Sequence, residues 1–241
     1  MRLLLINPNT SSELTALLHE QVQSTLGGAA RLESTTARFG ARYIADEASF
    51  AVAGHAALEA YAAHADAHGE PDAVLLACFG DPGVWALRQL ARRPVIGLAE
   101  AAMREAAGHG RFAIVTGGLA WKPMLERMAR TLGMNGALAG VHAIEPSGAA
   151  LAADPDRALA VLETACREAA SHAHAVVLGG AALAGLGRCL EPALAVPLID
   201  SVAAGARAVL RMATEGLTAE PPAGSPAGWH GVSGALLRRM A

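Results

Sequence analysis

The chain alternates short apolar runs with longer, alanine-rich stretches of helical periodicity. Short apolar runs bounded by turn residues are typical of buried strands, and their alternation with helices is typical of βα units around parallel sheets. We predict strands at 3–6, near 31–35, at 73–77, 95–97 and 112–116, near 140–144, and at 175–178 and 197–199. Helices are predicted between them, among others over 47–64, Leu98–Ala107, 122–132 and 155–172.

The same pattern occurs twice along the chain. Three segments match three later ones in the same order: 2–7 with 111–116, 72–80 with 174–182, and 94–102 with 197–205. Because βα units resemble one another in any case, chance likeness stays open as an explanation. The ordered succession favours an α/β fold with two pseudo-symmetric lobes. Each lobe would have a short, mainly parallel sheet flanked by helices, and the active site would lie in the cleft between them.

This symmetry predicts where the lobes begin and end. Residues 1–97 and 200–214 would form the first lobe, residues 98–199 the second, and residues 215–241 a C-terminal arm. The arm is rich in proline, glycine and serine, and a short helix is predicted over Gly234–Met240. Docking of this arm on its own chain and docking on a partner subunit both stay open.

Composition argues against several classes of function. Of the 241 residues, 53% are hydrophobic and only 4% aromatic, which is typical of a helix-rich globular protein. A net charge of −3 gives no basic surface for nucleic acid or an anionic membrane. The N-terminal apolar run is too short for a signal-peptide core or a membrane span. Three cysteines and nine histidines show no zinc spacing, so we expect no metal, and free thiols in a reducing cytoplasm.

Polar or glycine-rich turns follow four of the predicted strands, two in each lobe. Because ligands of open α/β sheets bind outside the carboxyl ends of the strands, these turns should converge on one site. Asn7, Pro8, Asn9 and Thr10 offer polar groups to a ligand, although a helix-capping turn explains them equally well. The pairs Thr116-Gly117 and Gly179-Gly180 would let the backbone approach an anionic group closely. Neither pair completes a dinucleotide or P-loop fingerprint.

Cys78 is the sharpest chemical signal. It ends a buried strand and precedes a turn that leads into a helix, where backbone N–H groups and the helix dipole favour a thiolate and lower the thiol pKa. A buried structural cysteine fits the same position, so both interpretations stay open.

The other polar residues have structural explanations. Cys166 and Cys189 are interpreted as packing residues, and Asp81 as an acidic residue expected at a helix start that could also orient a substrate amide. Glu100 and Asp200 follow repeated strands, and we predict helix capping for both.

Several segments resemble the hydantoin and allantoin racemases of the aspartate/glutamate racemase superfamily: residues 6–11 (INPNTS), 77–83 (ACFGDPG) and 94–103 (PVIGLAEAAM). The similarity runs in register from about residue 1 to 212. It implies two lobes with a small carbonyl or carboxylate substrate between them, a homo-oligomer, and proton transfer by two cysteines without metal or organic cofactor. Cys78 matches the first cysteine, and Asn7, Pro8, Thr116 and Gly117 match parts of the substrate pocket.

Gly180 stands where the family's second cysteine belongs, opposite Cys78 in the internal repeat. Racemisation needs a proton donor on the face opposite the base, and glycine has no ionisable side chain. A single thiol can still complete a reaction on one face. Arylmalonate decarboxylase, in the same superfamily, resembles this arrangement in mirror image, because it keeps only the second cysteine.

Three functional hypotheses follow. The first is a cofactor-independent racemase or isomerase acting on a carbon next to a carbonyl, with Cys78 as acid/base group. Backbone N–H groups near Phe79-Gly80, Thr116-Gly117 and Gly180-Ala181 would hold the developing oxyanion. The second is a one-cysteine decarboxylase or lyase, and the third is a binding protein that keeps the cleft without catalysis.

Overall fold

The computed structural model describes residues 1–216 and 228–240, apart from the side chains of residues 149, 152 and 155. The first repeat contains β1 to β4 and α1 to α4: β1 Arg2–Asn7, α1 Ser12–Leu26, β2 Arg31–Thr36, α2 Glu47–His68, β3 Ala73–Leu76, α3 Val84–Leu90, β4 Val95–Gly97 and α4 Leu98–Ala107. The second contains β5 Phe112–Gly117, α5 Trp121–Thr131, β6 Leu138–Ile144, α6 Gly148–Ala153, α7 Pro155–Ala170, β7 Ala175–Gly179, α8 Gly187–Leu190, β8 Leu198–Asp200 and α9 Ser201–Thr214. Two 3-10 turns, Ala181–Leu183 and Glu191–Ala193, flank α8, and α10 is Gly234–Met240.

Two four-stranded parallel sheets form the framework, in the orders β2-β1-β3-β4 and β6-β5-β7-β8. The predicted fold class is confirmed, and all eight predicted strands are present. The registers reproduce the sequence repeat: Leu3 pairs with Ala73 as Phe112 pairs with Ala175. Likewise Val74 pairs with Val95 as Val176 pairs with Leu198. The two halves therefore share one strand order and one register.

The helices that follow β4 and β8 are exchanged between the two sheets. Helix α4 follows β4 of the first sheet but packs on β7 of the second, and α9 follows β8 but packs on β3 and β4. Gly205 permits this approach, since a Cβ there would lie 2.6 Å from Leu98 Cδ2 and 3.0 Å from Leu75 Cδ1. The predicted lobe boundaries near residues 97 and 200 stay a prediction, which this packing supports.

The terminal helix α10 packs on α2 of the same chain. Leu236 is buried there, Arg238 pairs with Asp66, and Arg239 pairs with Glu70. Part of the predicted C-terminal arm, residues 217–227 and 241, lies outside the described residues. No helix in the described ranges is long and apolar enough to cross a membrane.

Candidate active site

A small cavity of about 40 Å³ lies between the two sheets, where the carboxyl ends of β3, β5 and β7 meet. Its wall combines turns from both repeats: Asn9, Leu14, Tyr43, Ile44, Ala77, Cys78, Phe79, Thr116, Gly117, Trp121, Gly148, Gly179, Gly180, Ala181, Ala182 and Leu183. None of these residues is an aspartate, glutamate, histidine, lysine or arginine. The cavity is therefore an uncharged site in the position where a doubly wound fold binds ligands.

Cys78 lies in the wall of this cavity, with 7% of its surface exposed. Burial raises the pKa of its thiol above the ordinary range, and the nearby Asp81 carboxylate raises that pKa further. Helix α3 begins only at Val84, behind an N-cap at Gly83. The expectation of a lowered thiol pKa is therefore wrong, because the loss of hydration on burial outweighs the effect of the neighbouring helix.

Asp81 is a structural cap whose carboxylate binds the start of α4. Its two oxygens accept the backbone N–H groups of Ala99 and Glu100 at 2.9 and 2.8 Å. Gly97 leaves the room for this contact, since a Cβ there would lie 2.1 Å from Asp81 Cγ. Asp81 does not line the cavity. Its carboxylate therefore fixes the turn after Cys78 to α4, which favours the structural interpretation over contact with a substrate amide.

Burial raises the pKa of Asp81 to about 7, although the two backbone N–H groups lower it. The folded-state pKa is thus above the unfolded value of about 3.9, so the folded chain holds this proton after the unfolded chain has released it. We expect the free energy of unfolding to fall, relative to that of Asp81→Asn, as the pH rises from about 4 through about 7. Urea unfolding of both proteins across this range measures the difference. A free energy of unfolding that stays level or rises with pH, relative to that of Asp81→Asn, would show that the Asp81 carboxyl is already ionised in the folded chain across this range.

Glu100 does not cap α4, contrary to the sequence prediction. Its buried carboxylate instead accepts hydrogen bonds from Arg88 Nη2 at 2.5 Å and Arg104 Nε at 2.8 Å. The prediction for Asp200 is confirmed, because its Oδ1 accepts the N–H groups of Val202 and Ala203 at the start of α9. In the repeat, Asp200 corresponds to Gly97 and not to Glu100. At the start of α4 the Asp81 carboxylate therefore has the capping role that Asp200 has at α9.

The turn after β1 contributes one residue to the cavity, Asn9. Asn7 is fully buried, and its Nδ2 donates to Asn9 Oδ1, to the Ser11 carbonyl and to Thr15 Oγ1. Asn9 Oδ1 also accepts the Ser11 N–H, so the Asn9 amide is held with its oxygen on the turn. Pro8 and Thr10, like Asn7, do not line the cavity, and Ser11 caps α1. Asn7 is therefore placed to position Asn9.

The two lobes contact each other through glycines beside Cys78. The Phe79 ring packs against Gly179, where a Cβ would lie 2.1 Å from Phe79 Cε1. Trp121 packs in the same way against Gly80, where a Cβ would lie 2.5 Å from Trp121 Cζ3. Gly80 itself does not line the cavity, whereas Phe79 and Gly179 do. These close approaches bring the strand ends of the two lobes together.

A comparison with known families identifies the chain. A family model described as Asp/Glu/Hydantoin racemase matches residues 3–209. The chain belongs to this family. A hydantoin racemase from Paenarthrobacter aurescens is 33% identical over 210 residues, which cover 86% of this chain and 89% of that protein.

Solved structures of racemases share the fold. An allantoin racemase from Klebsiella pneumoniae superposes with a TM-score of 0.85 at 32% identity, over 90% of this chain and 89% of that chain. An allantoin racemase from Pseudomonas fluorescens gives a TM-score of 0.84 at 26% identity, over 90% and 93% of the two chains. The chain is thus a racemase-like isomerase with the two-lobed architecture of its relatives.

Gly180 faces the cavity in a backbone conformation that suits glycine. Its φ is 144°, in the region that L-residues rarely adopt, and its N–H donates to Ser201 Oγ at 3.4 Å. A Cβ at this position would lie 3.3 Å from Leu183 Cδ1. This long contact leaves the expected role of the Gly180-Ala181 backbone as an oxyanion donor a prediction.

Of the predicted site residues, the cavity brings together Asn9, Cys78, Phe79, Thr116, Gly117, Gly179, Gly180 and Ala181. Sequence reasoning missed Tyr43 and Trp121. Tyr43 lies in the loop between β2 and α2, and its hydroxyl accepts the N–H of Gly148 at 2.9 Å, which links the two lobes. Both are aromatic residues in a chain with few of them, and that rarity was the available signal.

The other two cysteines lie outside the cavity. Cys166 is buried in α7, as predicted for a packing residue. Cys189 is exposed in α8, so its interpretation as a packing residue is wrong. Within the described ranges, no three metal-binding side chains form a group that could hold an ion.

Proposed function

We propose that the chain catalyses proton transfer at the carbon next to a carbonyl of a small neutral cyclic amide of the hydantoin or allantoin class, with Cys78 as the acid/base group. The observation that carries the substrate class is the uncharged cavity wall around Cys78. A free amino acid or malonate would bury a carboxylate there without a charged partner, which is costly. A hydantoin ring brings no charge and offers amide groups to polar neighbours.

The donors near Cys78 suit the charge that develops during proton removal. When Cys78 takes the proton, the electron pair moves to the carbonyl oxygen, which becomes an oxyanion. The backbone N–H of Phe79, a residue of the cavity wall, finds no acceptor within residues 1–216 and 228–240. Asn9 adds an Nδ2 whose orientation is set by the bonds to Oδ1. Such preorganised donors stabilise an oxyanion in a site that excludes water.

The volume of the cavity limits the substrate, and the lack of a side-chain acid at Gly180 limits the stereochemistry of the reaction. A cavity of about 40 Å³ favours a ring with a short substituent, such as methyl, over one with an indolylmethyl group. The wall has a thiol at Cys78 and no side-chain acid at Gly180. Proton return is therefore fast on the face of Cys78, and on the other face it relies on water, a poor acid at neutral pH.

We expect one enantiomer of 5-methylhydantoin to exchange its C5 proton for deuterium faster than it inverts. The purified protein is incubated with each enantiomer in heavy water. Deuterium content is followed by proton NMR and handedness by chiral chromatography, with a protein-free sample as control. Exchange that outruns inversion for one enantiomer supports one-base chemistry at Cys78.

Other outcomes would redirect the proposal. Equal rates of exchange and inversion for both enantiomers would mean that a second acid acts opposite Cys78. If hydantoins and allantoin are inert, carbon dioxide release from disubstituted malonates tests the decarboxylase alternative. Ligand-induced thermal stabilisation that persists in Cys78→Ser without any turnover would instead favour a binding protein.

A further inference from the structure

A second and larger opening lies on the outer side of the first lobe. This groove, of about 470 Å³, has a floor formed by Pro94, Val95 and Ile96 at β4. Helices α3, α4 and α9 supply its walls, with Arg88, Glu100, Arg104, Ala208, Arg211 and Met212, and Arg93 completes the lining. Its volume is within the range of small-molecule sites, and it shares no residue with the cavity at Cys78.

Positive charge dominates the groove. Four arginines, at positions 88, 93, 104 and 211, face one carboxylate, that of Glu100. This gives a local excess of three positive charges in a chain whose net charge is −3. Such a concentration of guanidinium groups raises the local concentration of anions.

Two of the four arginines are held in place by the buried carboxylate of Glu100. Glu100 is 3% exposed, and its carboxylate accepts hydrogen bonds from Arg88 and Arg104. The Arg88 Nε also donates to the Val95 carbonyl at 2.9 Å, which ties that guanidinium to the floor. Arg88 and Arg104 therefore contribute positive charge to the groove wall from fixed positions.

The other two arginines of the groove differ from Arg88 and Arg104 in their ion pairing. Arg93 and Arg211 form no ion pair with any carboxylate of the described residues. Arg93 is partly buried, while Arg211 is exposed at the rim of the groove. Beside them, Pro94, Ile96, Ala208 and Met212 provide an apolar surface. A guanidinium group binds phosphate or carboxylate oxygens in a bidentate manner, and the apolar surface suits a hydrocarbon body.

We propose that this groove is a binding site for a small organic dianion, in which Arg93 and Arg211 bind the charged group and the floor at β4 contacts the apolar part. This proposal does not depend on the proposed reaction, because the groove and the cavity at Cys78 share no lining residue. A phosphate ester and a dicarboxylate share the chemistry that the groove recognises.

Calorimetric titration at constant ionic strength tests this site with three probes. Phenyl phosphate and phthalate carry a dianion on a ring, and benzamide carries the ring without the charge. We expect saturable binding of at least one dianion and none of benzamide. The double variant Arg93→Gln/Arg211→Gln should weaken that binding at least tenfold, since each lost charge-assisted hydrogen bond is worth about tenfold or more.

A charge-matched control separates the groove from a general charge effect. Arg130 and Arg157 are exposed and belong to other helices, so Arg130→Gln/Arg157→Gln lowers the net charge equally and should bind as the parent does. The proposal is overturned if neither dianion binds saturably, if benzamide binds as tightly, or if both double variants weaken binding alike.

Discussion

Replacing Cys78 by alanine is expected to abolish proton exchange at the substrate carbon, with a loss of about 10²–10⁴-fold in rate. Among the described residues that line the cavity, the Cys78 thiol is the only group, apart from hydroxyls, that can take up a proton from carbon. Initial deuterium incorporation into 5-methylhydantoin measures the loss. Cys189→Ala is the matched control, since Cys189 is exposed and outside the cavity, and it should exchange at the parent rate.

The pH dependence of the parent gives a second measure of the same residue. Because burial and Asp81 raise the pKa of the Cys78 thiol, little thiolate is present at neutral pH, and the exchange rate should rise as the pH rises above 7. Retention of more than a tenth of the parent rate in Cys78→Ala, with an unchanged pH profile, would show that another group moves the proton.

Gly179→Ala is expected to damage both stability and activity. The new methyl group would meet the Phe79 ring at 2.1–2.6 Å, so the ring beside Cys78 has to move. Overpacking of this kind costs about 1–3 kcal/mol, and a displacement of about 1 Å in a site costs about 10²-fold in rate. Thermal unfolding and deuterium exchange measure the two effects.

Two variants decide whether the Phe79 contact is the cause. Gly136→Ala introduces the same methyl group where nothing lies within 4 Å, so it should leave the melting temperature and the exchange rate unchanged. Phe79→Ala in the Gly179→Ala background removes the clash. The double variant should therefore lose less free energy of unfolding than the sum of the losses in the two single variants. If the two losses of free energy simply add, the Phe79 ring and the new methyl group at position 179 do not compete for space.

The framework was readable from the sequence because parallel strands are buried on both faces and so appear as continuous apolar runs. Residues 73–76 and 175–178 are such runs. They are equivalent in the sequence repeat, and the strands they form have equivalent registers in the two sheets. Strand ends of a parallel sheet lie at one edge, which is why residues as distant as Asn9, Cys78 and Gly180 were expected near each other and meet in one cavity.

Two properties of the site could not be predicted from the sequence: the direction in which its side chains point and the hydration of its buried thiol. Asn7 and Asn9 are neighbours in one polar turn, yet Asn7 bonds inward to Thr15 while Asn9 lines the cavity. Tyr43 reaches the site from a loop with no strand end to mark it. The pKa of Cys78 is set by how completely both lobes enclose it, and that closure is a property of the assembled fold.

The positive φ at Gly180 bears on how this enzyme could be engineered. Introducing a cysteine there would place an L-residue at a φ of 144°, at a cost of about 1–3 kcal/mol, and would push its β-carbon towards Leu183. Exchanging this one residue would therefore place a thiol on a strained backbone, in a turn that has to change its conformation. Engineering a racemase with two thiols from this scaffold has to begin by rebuilding the loop after β7, and only then by choosing the amino acid.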